Sequence, residues 1–411
     1  MSSTCPDPTF RANTALGRHG WLRLTPAYAA GLVRELLAGA PPDARVLDPF
    51  AGTGTTALVA AEKGLACEVV EVNPFLCWFA RAKTATYPAA DLDLFGEYAT
   101  AARRMIVAHR GVRTAPGPDM HRIDRWWHAE ALEALQRLRG FFWSLQNASF
   151  DTGHPAAWDL LQVAFCRTLI ATARVTYGHQ SVSFREDRGA RDAEAVAGAW
   201  DAAVPVVREG AAQNPSGTAA VHEGDARTLA GLLPGSFTHV VTSPPYCNRM
   251  SYIRELRPYL YWLEFLGGQQ TAGDLDWHAI GGTWGSASSR LMKWKPSGAA
   301  VPDWLPAVAH RIAARSKICS RYVERYVEDM TTHVGALAPL LAPGARVHYV
   351  VGNSMFYGTD VPVQELLRAR FAAVGLEEVA VRMLRARSSK KGLFEYVVEG
   401  QQPGTDGKIH G

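Results

Sequence analysis

The chain has 411 residues, 47% of them apolar, and a formal charge of +4; it can bury one large core or two modest ones, and its charge permits a polyanionic partner without demanding one. No stretch reaches the unbroken apolar length that spans a bilayer, and the N-terminal "MSSTCPDPTFRANTALGRHG" lacks the charged-then-apolar layout of a secretory signal, so a soluble cytoplasmic protein without a membrane partner is expected. Six cysteines, Cys5, Cys67, Cys77, Cys166, Cys247 and Cys319, lie without any close pair, which argues against a disulfide framework or a zinc site and predicts reduced thiols and no metal.

In chain order, "ARVLDPFAGTGTTALVAAEKG" (44–64) reads as a short strand ending at Asp48, a turn through Gly52 and Gly54, and a helix starting near Thr55. "LACEVVEVNPF" (65–75) follows as a second buried strand with Glu71 at its carboxyl end, after which Pro74 helps to start another helix. This is a βαβ unit. Its glycines let a ligand approach the backbone, and Glu71 stands about 20 positions past the turn, where a ribose hydroxyl pair is gripped. Gly-x-Gly after a strand is compatible with a dinucleotide, with S-adenosylmethionine, or with tight packing alone. The turn here lacks a third glycine, and Asp48 precedes it; a carboxylate there would repel a pyrophosphate but suits an ammonium group.

Residues 86–215 break the α/β rhythm. "HAEALEALQRLRGFFWSLQ" and "AAWDLLQVAFCRTLIATARV" carry apolar residues at helical spacing, which predicts an all-helical insertion with "TYGHQSVSFRED" as a polar loop. No lysine occurs between Lys83 and Lys293 while arginine is frequent, a bias that also suits contacts to phosphates and base edges. The α/β pattern resumes at "AAVHEGDARTL", a strand ending on Asp225 and followed by a helix, and then at "SFTHVVTSPPY". The strand ends at Asp48, Glu71, Asp225 and Ser243 would share one edge of a parallel sheet, where open α/β folds bind ligands.

The Pro244-Pro245 pair has no N–H groups, so Ser243-Pro244-Pro245 offers a hydroxyl and bare carbonyls on a rigid backbone, an acceptor-rich surface that fits an amino group. Tyr246 adds an aromatic face on which an extruded base can stack. Beyond it, Arg249, Tyr252, Arg254 and Arg257 lead into the apolar helix "PYLYWLEFLG", and arginines there would meet phosphates. "GGTWGSASSRLMKWKPSG" reads as an irregular DNA-facing loop in which Lys293 and Lys295 bind phosphate. Residues 304–340 read as one long amphipathic helix, "ARVHYVVGN" as a further sheet strand, and "EEVAVRMLRAR" with "LFEYVVEG" as a closing antiparallel pair whose tip, "RARSSKKG", is basic.

"DPFAGTGTT", "EVNP" and "TSPPY", each at a strand end, together resemble the amino-group DNA methyltransferases, which use S-adenosylmethionine to modify cytosine at N4 or adenine at N6. The resemblance covers most of the catalytic core and matches the insertions only loosely. It implies that Asp48, Pro49, Phe50, Ala51, Gly52, Thr53 and Gly54 form the loop on the methionine side, that Glu71 holds the ribose with Asn73 beside it, and that Asp225 and Ala226 meet the cofactor adenine. The segment around "RLTPAYAAGLVREL" is similar to one that closes over the methionine end, which implies Thr25 and Pro26 as contacts. Ser243, Pro244, Pro245 and Tyr246 take the catalytic positions, and serine before the proline pair is more usual in the N4-cytosine enzymes. The long segment between Glu71 and Asp225, and the order of cofactor motif before catalytic motif, depart from the commoner pattern. Carbon-5 methylation through Cys247 is disfavoured, because those enzymes resemble one another in a Pro-Cys pair and Tyr246 precedes the cysteine here.

The expectation is a Rossmann-like α/β fold with a mostly parallel seven-stranded methyltransferase sheet. Its parts are a cofactor-binding section (1–85), a helical insertion (86–215), a section bearing the TSPPY loop (216–265), an insertion for target recognition (266–330) and C-terminal strands (331–411). Site-specific N4-cytosine methylation of double-stranded DNA, alongside a companion restriction endonuclease, is the leading reading. N6-adenine methylation, an RNA amino-methyltransferase and a non-catalytic DNA-binding protein with a decayed pocket are the alternatives.

Overall fold

Seven apolar runs supply the strands of one sheet: β1 (Arg45–Asp48), β2 (Ala66–Glu71), β3 (Thr218–Glu223), β4 (Phe237–Thr242), β5 (Leu341–Gly352), β6 (Glu377–Ala386) and β7 (Phe394–Gln401). The computed structural model describes residues 10–24, 27–108, 114–149, 155–178, 181–248, 251–267, 271–282, 286–387 and 391–404. The strand order is β6-β7-β5-β4-β1-β2-β3. All neighbours pair in parallel except those of β7, which is antiparallel to both β5 and β6. The expected α/β fold, a mostly parallel methyltransferase-like sheet with flanking helices and a closing antiparallel pair, is therefore present.

Register decides what reaches the ligand-binding edge. Asp48 pairs with Val69, Glu71 with Glu223 and Thr242 with Tyr349, so β1, β2, β3 and β4 present their carboxyl ends together. Because β7 runs backwards, it brings its beginning to the same edge: Glu395 lies opposite Gly352 and Arg385 opposite Glu395.

Helices α1 (Ala30–Leu36), α2 (Thr55–Glu62) and α3 (Pro74–Thr84) belong to the first βαβ unit. Gly54, at φ +72°, starts α2 in a conformation that L side chains avoid, and a Cβ there would come within 2.9 Å of the Ala80 methyl on α3. Residues 86–215 hold α4 (Ala89–Val107), α5 (Ala129–Ser149), α6 (Pro155–Thr172) and α7 (Ala193–Ala211). They share one hydrophobic cluster with Phe75 and Phe79 of α3 and with Leu256 and Trp262 of α8 (Tyr252–Trp262). Trp262 meets the rings of Trp127 and Phe165 edge-on, each at 5.6 Å, so the helical bundle seats the helix that follows the proline pair.

Four expectations are corrected. The segment expected as a loop near residue 180 contains two short antiparallel strands, Val175–Gly178 and Ser181–Phe184. No helix follows Asp225: Gly231 and Gly235, both at positive φ, and Pro234 between them keep the connection to β4 in turns. The stretch expected to be irregular, 281–298, carries α10 (Ser286–Lys293), and α9 (Ala272–His278) precedes it. The single long helix is two, α11 (Leu305–Ala313) and α12 (Lys317–Leu337), because the Ser316 side chain caps a new start by accepting from the Cys319 N–H. The last helix, α13 (Val363–Ala373), packs against β6 and β7. No described helix is long and apolar enough to cross a membrane.

Candidate active site

One cavity of about 310 Å³ opens at the carboxyl ends of β1–β5. On its β1–β3 side, Glu71 is held by two backbone N–H groups from different loops: Gly52 donates to one carboxylate oxygen and Asn73 to the other, each at 2.9 Å. Burial pushes the Glu71 carboxyl up to about 7 in spite of those bonds, which favour its ionised form. Asn73 caps α3 by accepting from the Phe75 and Leu76 N–H groups. Its Nδ2 is buried at the cavity wall, where no described group accepts from it.

Asp225 and Ala226 also line the cavity. Arg227 grips the Asp225 carboxylate through Nε and Nη2 and reaches Asp329 at 2.7 Å and the His278 carbonyl at 2.8 Å. Burial alone would raise the Asp225 carboxyl, but the hydrogen bonds and charge of Arg227 outweigh it and hold it below the usual carboxylate range. The Ala226 carbonyl accepts from His333 Nδ1 at 2.7 Å, while Nε2 of that ring lies 2.6 Å from the Tyr349 hydroxyl. Burial lowers His333 to about 4, so the ring is neutral, and its edge-on contact at 4.5 Å backs the Phe50 ring in the cavity wall.

The rest of the glycine turn divides. Pro49, Phe50 and Gly52 line the cavity, whereas Ala51, Thr53 and Gly54 are buried behind it. Asp48 lies beneath the turn, not in the wall where it was expected to meet an ammonium. It is fully buried, and one oxygen takes the Phe50 N–H at 3.0 Å and the Thr242 hydroxyl at 2.5 Å, which ties the turn to β4. Burial raises its carboxyl to about 6.

The opposite wall is the proline loop. Ser243, Pro244, Pro245 and Tyr246 all line the cavity. The Ser243 hydroxyl donates to the Val350 carbonyl at 3.0 Å, which spends its one proton and leaves the oxygen to act as an acceptor. The Tyr326 hydroxyl donates to the Pro245 carbonyl at 2.8 Å, while no described group donates to the Pro244 carbonyl. Tyr246 donates from its hydroxyl to Glu395 at 3.1 Å, and the Arg387 guanidinium lies 5.3 Å from its ring centroid. Cys247 is fully buried in the core on the α12 side, and burial raises its thiol, so it is no nucleophile for a base in this cavity.

Arg385, Arg387 and Glu395 carry no site signal in the sequence: the carboxyl end of β6 and the start of the reversed β7 meet at the cavity edge and bring them there. Tyr28 and His278–Ile280 also line it, again without a sequence signal. Thr25, Pro26 and Arg249 lie outside the described residues, as does the Tyr252 side chain. Arg254 is half-buried on the first turn of α8, next to the cavity-lining Ile253. Lys293 and Lys295 are exposed at the end of α10 and just past it.

Fold and cavity together define an α/β chain of methyltransferase-like architecture with a cavity at the carboxyl edge of the sheet. No family model matches the chain, and no curated protein matches it. Among solved structures it is similar to the rRNA methyltransferase aviRa from Streptomyces viridochromogenes, at 11% identity and a TM-score of 0.30, over 92% of this chain and 87% of that one. So loose a likeness carries no weight for activity.

Proposed function

We propose that the chain is an S-adenosylmethionine-dependent DNA methyltransferase acting on the exocyclic N4 amine of a flipped cytosine, as the modification enzyme of a restriction or related defence system. The observation that supports this reading is a single cavity that joins an acidic, ribose-gripping wall to an acceptor-rich Ser-Pro-Pro-Tyr wall. The residues present fit the cofactor: ionised Glu71 offers lone pairs to ribose hydroxyls, Asn73 Nδ2 has a donor to spare, and Phe50 and Ala226 border an apolar bed for adenine. When bound, S-adenosylmethionine supplies a methyl already activated by sulfonium.

The protein's task is then to place, desolvate and polarise the amine. The Ser243 hydroxyl and the Pro244 carbonyl accept the two amine N–H bonds, which draws the nitrogen toward tetrahedral geometry and frees its lone pair. Bound S-adenosylmethionine would supply the methyl that this lone pair takes up, and the amine would give up one proton, which passes to solvent as the product leaves. Tyr246 forms the aromatic wall for the base. Arg254, Lys293 and Lys295 take backbone phosphates of double-stranded DNA.

The test is incubation with unmethylated genomic DNA and methyl-labelled S-adenosylmethionine, followed by nucleoside mass spectrometry, beside Ser243→Ala and Tyr246→Ala variants. N4-methylcytosine that disappears in both variants is expected. Label in N6-methyladenine would overturn the base, label only in RNA the substrate, and binding without transfer the enzyme itself.

A further inference from the structure

The far wall of the cavity carries two guanidinium groups in different electrostatic states. Arg385 is neutralised, because its Nε donates to one oxygen of Glu395 at 2.6 Å while the Tyr246 hydroxyl takes the other oxygen. Arg387 has no carboxylate partner among the described residues. Its Nη1 donates to the Asn353 carbonyl at 3.2 Å, which uses one of five N–H groups. Gly352 makes room for it: a Cβ there would lie 2.6 Å from Arg387 Nη1 and 3.1 Å from Tyr246 Cε2, so guanidinium and ring edge meet over one point of bare backbone. Ser243, Tyr246 and Arg387 line the same cavity, which puts the uncompensated cation beside the slot where the amine is to be held.

We infer that Arg387 is the specificity-determining residue of this slot, a donor fork for the N3 and O2 acceptors of cytosine. This rests on the amino-methyltransferase reading above. Beside its exocyclic amine cytosine carries two acceptors in sequence, N3 and then O2, which a planar guanidinium pairs at once. Adenine carries N1 and then a C–H, so the same fork would leave one donor facing carbon in a site from which water has been expelled. Glu395, the carboxylate beside it, is already paired with Arg385 and Tyr246, so the fork is left for the base.

Wild type, Arg387→Met and Arg387→Lys are compared on unmethylated genomic DNA, with N4-methylcytosine and N6-methyladenine counted separately and S-adenosylhomocysteine affinity measured by calorimetry. The expected result is a loss of about thirtyfold in N4-methylcytosine formation in Arg387→Met, as one bidentate contact provides, with homocysteine-analogue affinity unchanged within about twofold. Arg387→Lys, which keeps the charge and loses the fork, is expected to stay within about threefold of Arg387→Met, and it decides the matter alone should the methionine variant not fold. Unchanged cytosine methylation in either variant, or full rescue by lysine, would overturn the inference while leaving the proposed function standing. A wild type that labels only adenine would overturn the fork together with the base, and one that labels neither base would overturn the proposed function itself.

Discussion

The two walls of the cavity are built on different length scales. The grip on Glu71 is local: its carboxylate takes N–H groups 19 and 2 positions away, and Asn73 caps the very next helix. The wall that meets the target base is assembled across the chain, with Ser243 bonded 107 positions away at Val350 and Tyr246 149 positions away at Glu395. A local wall survives small shifts between elements, because strand, turn and helix start carry it together. A distant wall depends on sheet order, and it can be removed without disturbing the first.

That separation is open to attack from the base side. Tyr246→Ala is expected to reduce methyl transfer by about a thousandfold, through loss of the aromatic wall and of the Glu395 anchor, while cofactor affinity stays within about twofold by calorimetry. A parallel loss of cofactor binding would show that the walls are one unit. On the local side, Glu71→Ala is expected to weaken S-adenosylmethionine by about a hundredfold, as two hydrogen bonds to a charged group provide.

Glu71 also gives the local wall a pH signature. Its carboxyl is raised to about 7, and the ionised form is the one that accepts ribose hydroxyls. Cofactor affinity should therefore rise with pH up to about 7 and flatten above it, and Glu71→Gln should abolish the slope. The free protein responds with the opposite sign: a carboxyl raised above its unfolded value binds more protons when folded, so stability contributed by protonated Glu71 falls between the unfolded value and about 7.

Smaller effects test what supports each wall. Arg227→Met would leave Asp225 and Asp329 without their shared partner and free the His278 carbonyl, an expected loss of about 2 kcal/mol in denaturant unfolding. Asn73→Ala would remove the cap of α3, an expected loss of about 1 kcal/mol. In the latter, cofactor affinity should fall as well, since Nδ2 is the unspent donor in the cavity wall.

By itself the sequence determined the parts whose physics is short-ranged. Hydrophobic runs bounded by glycines and prolines placed β1, β2 and β4, Asn73-Pro74 marked the start of α3, and the Ser-Pro-Pro-Tyr loop was legible because two prolines state their lack of donors without help from a partner. What only the tertiary structure decided is everything set by burial and by pairing across the sheet. Asp48 reads in sequence as a ligand for an ammonium, but burial of its carboxylate against Thr242 makes it a tie under the turn. The basic "RAR" segment reads as a hairpin tip that either touches DNA backbone or is solvated, but the pairing of β6 with β7 and of β7 with β5 sets Arg385, Arg387 and Glu395 around Tyr246. The sequence marks the closing antiparallel pair but not its register against the rest of the sheet, and in this fold that register decides which charges face the base.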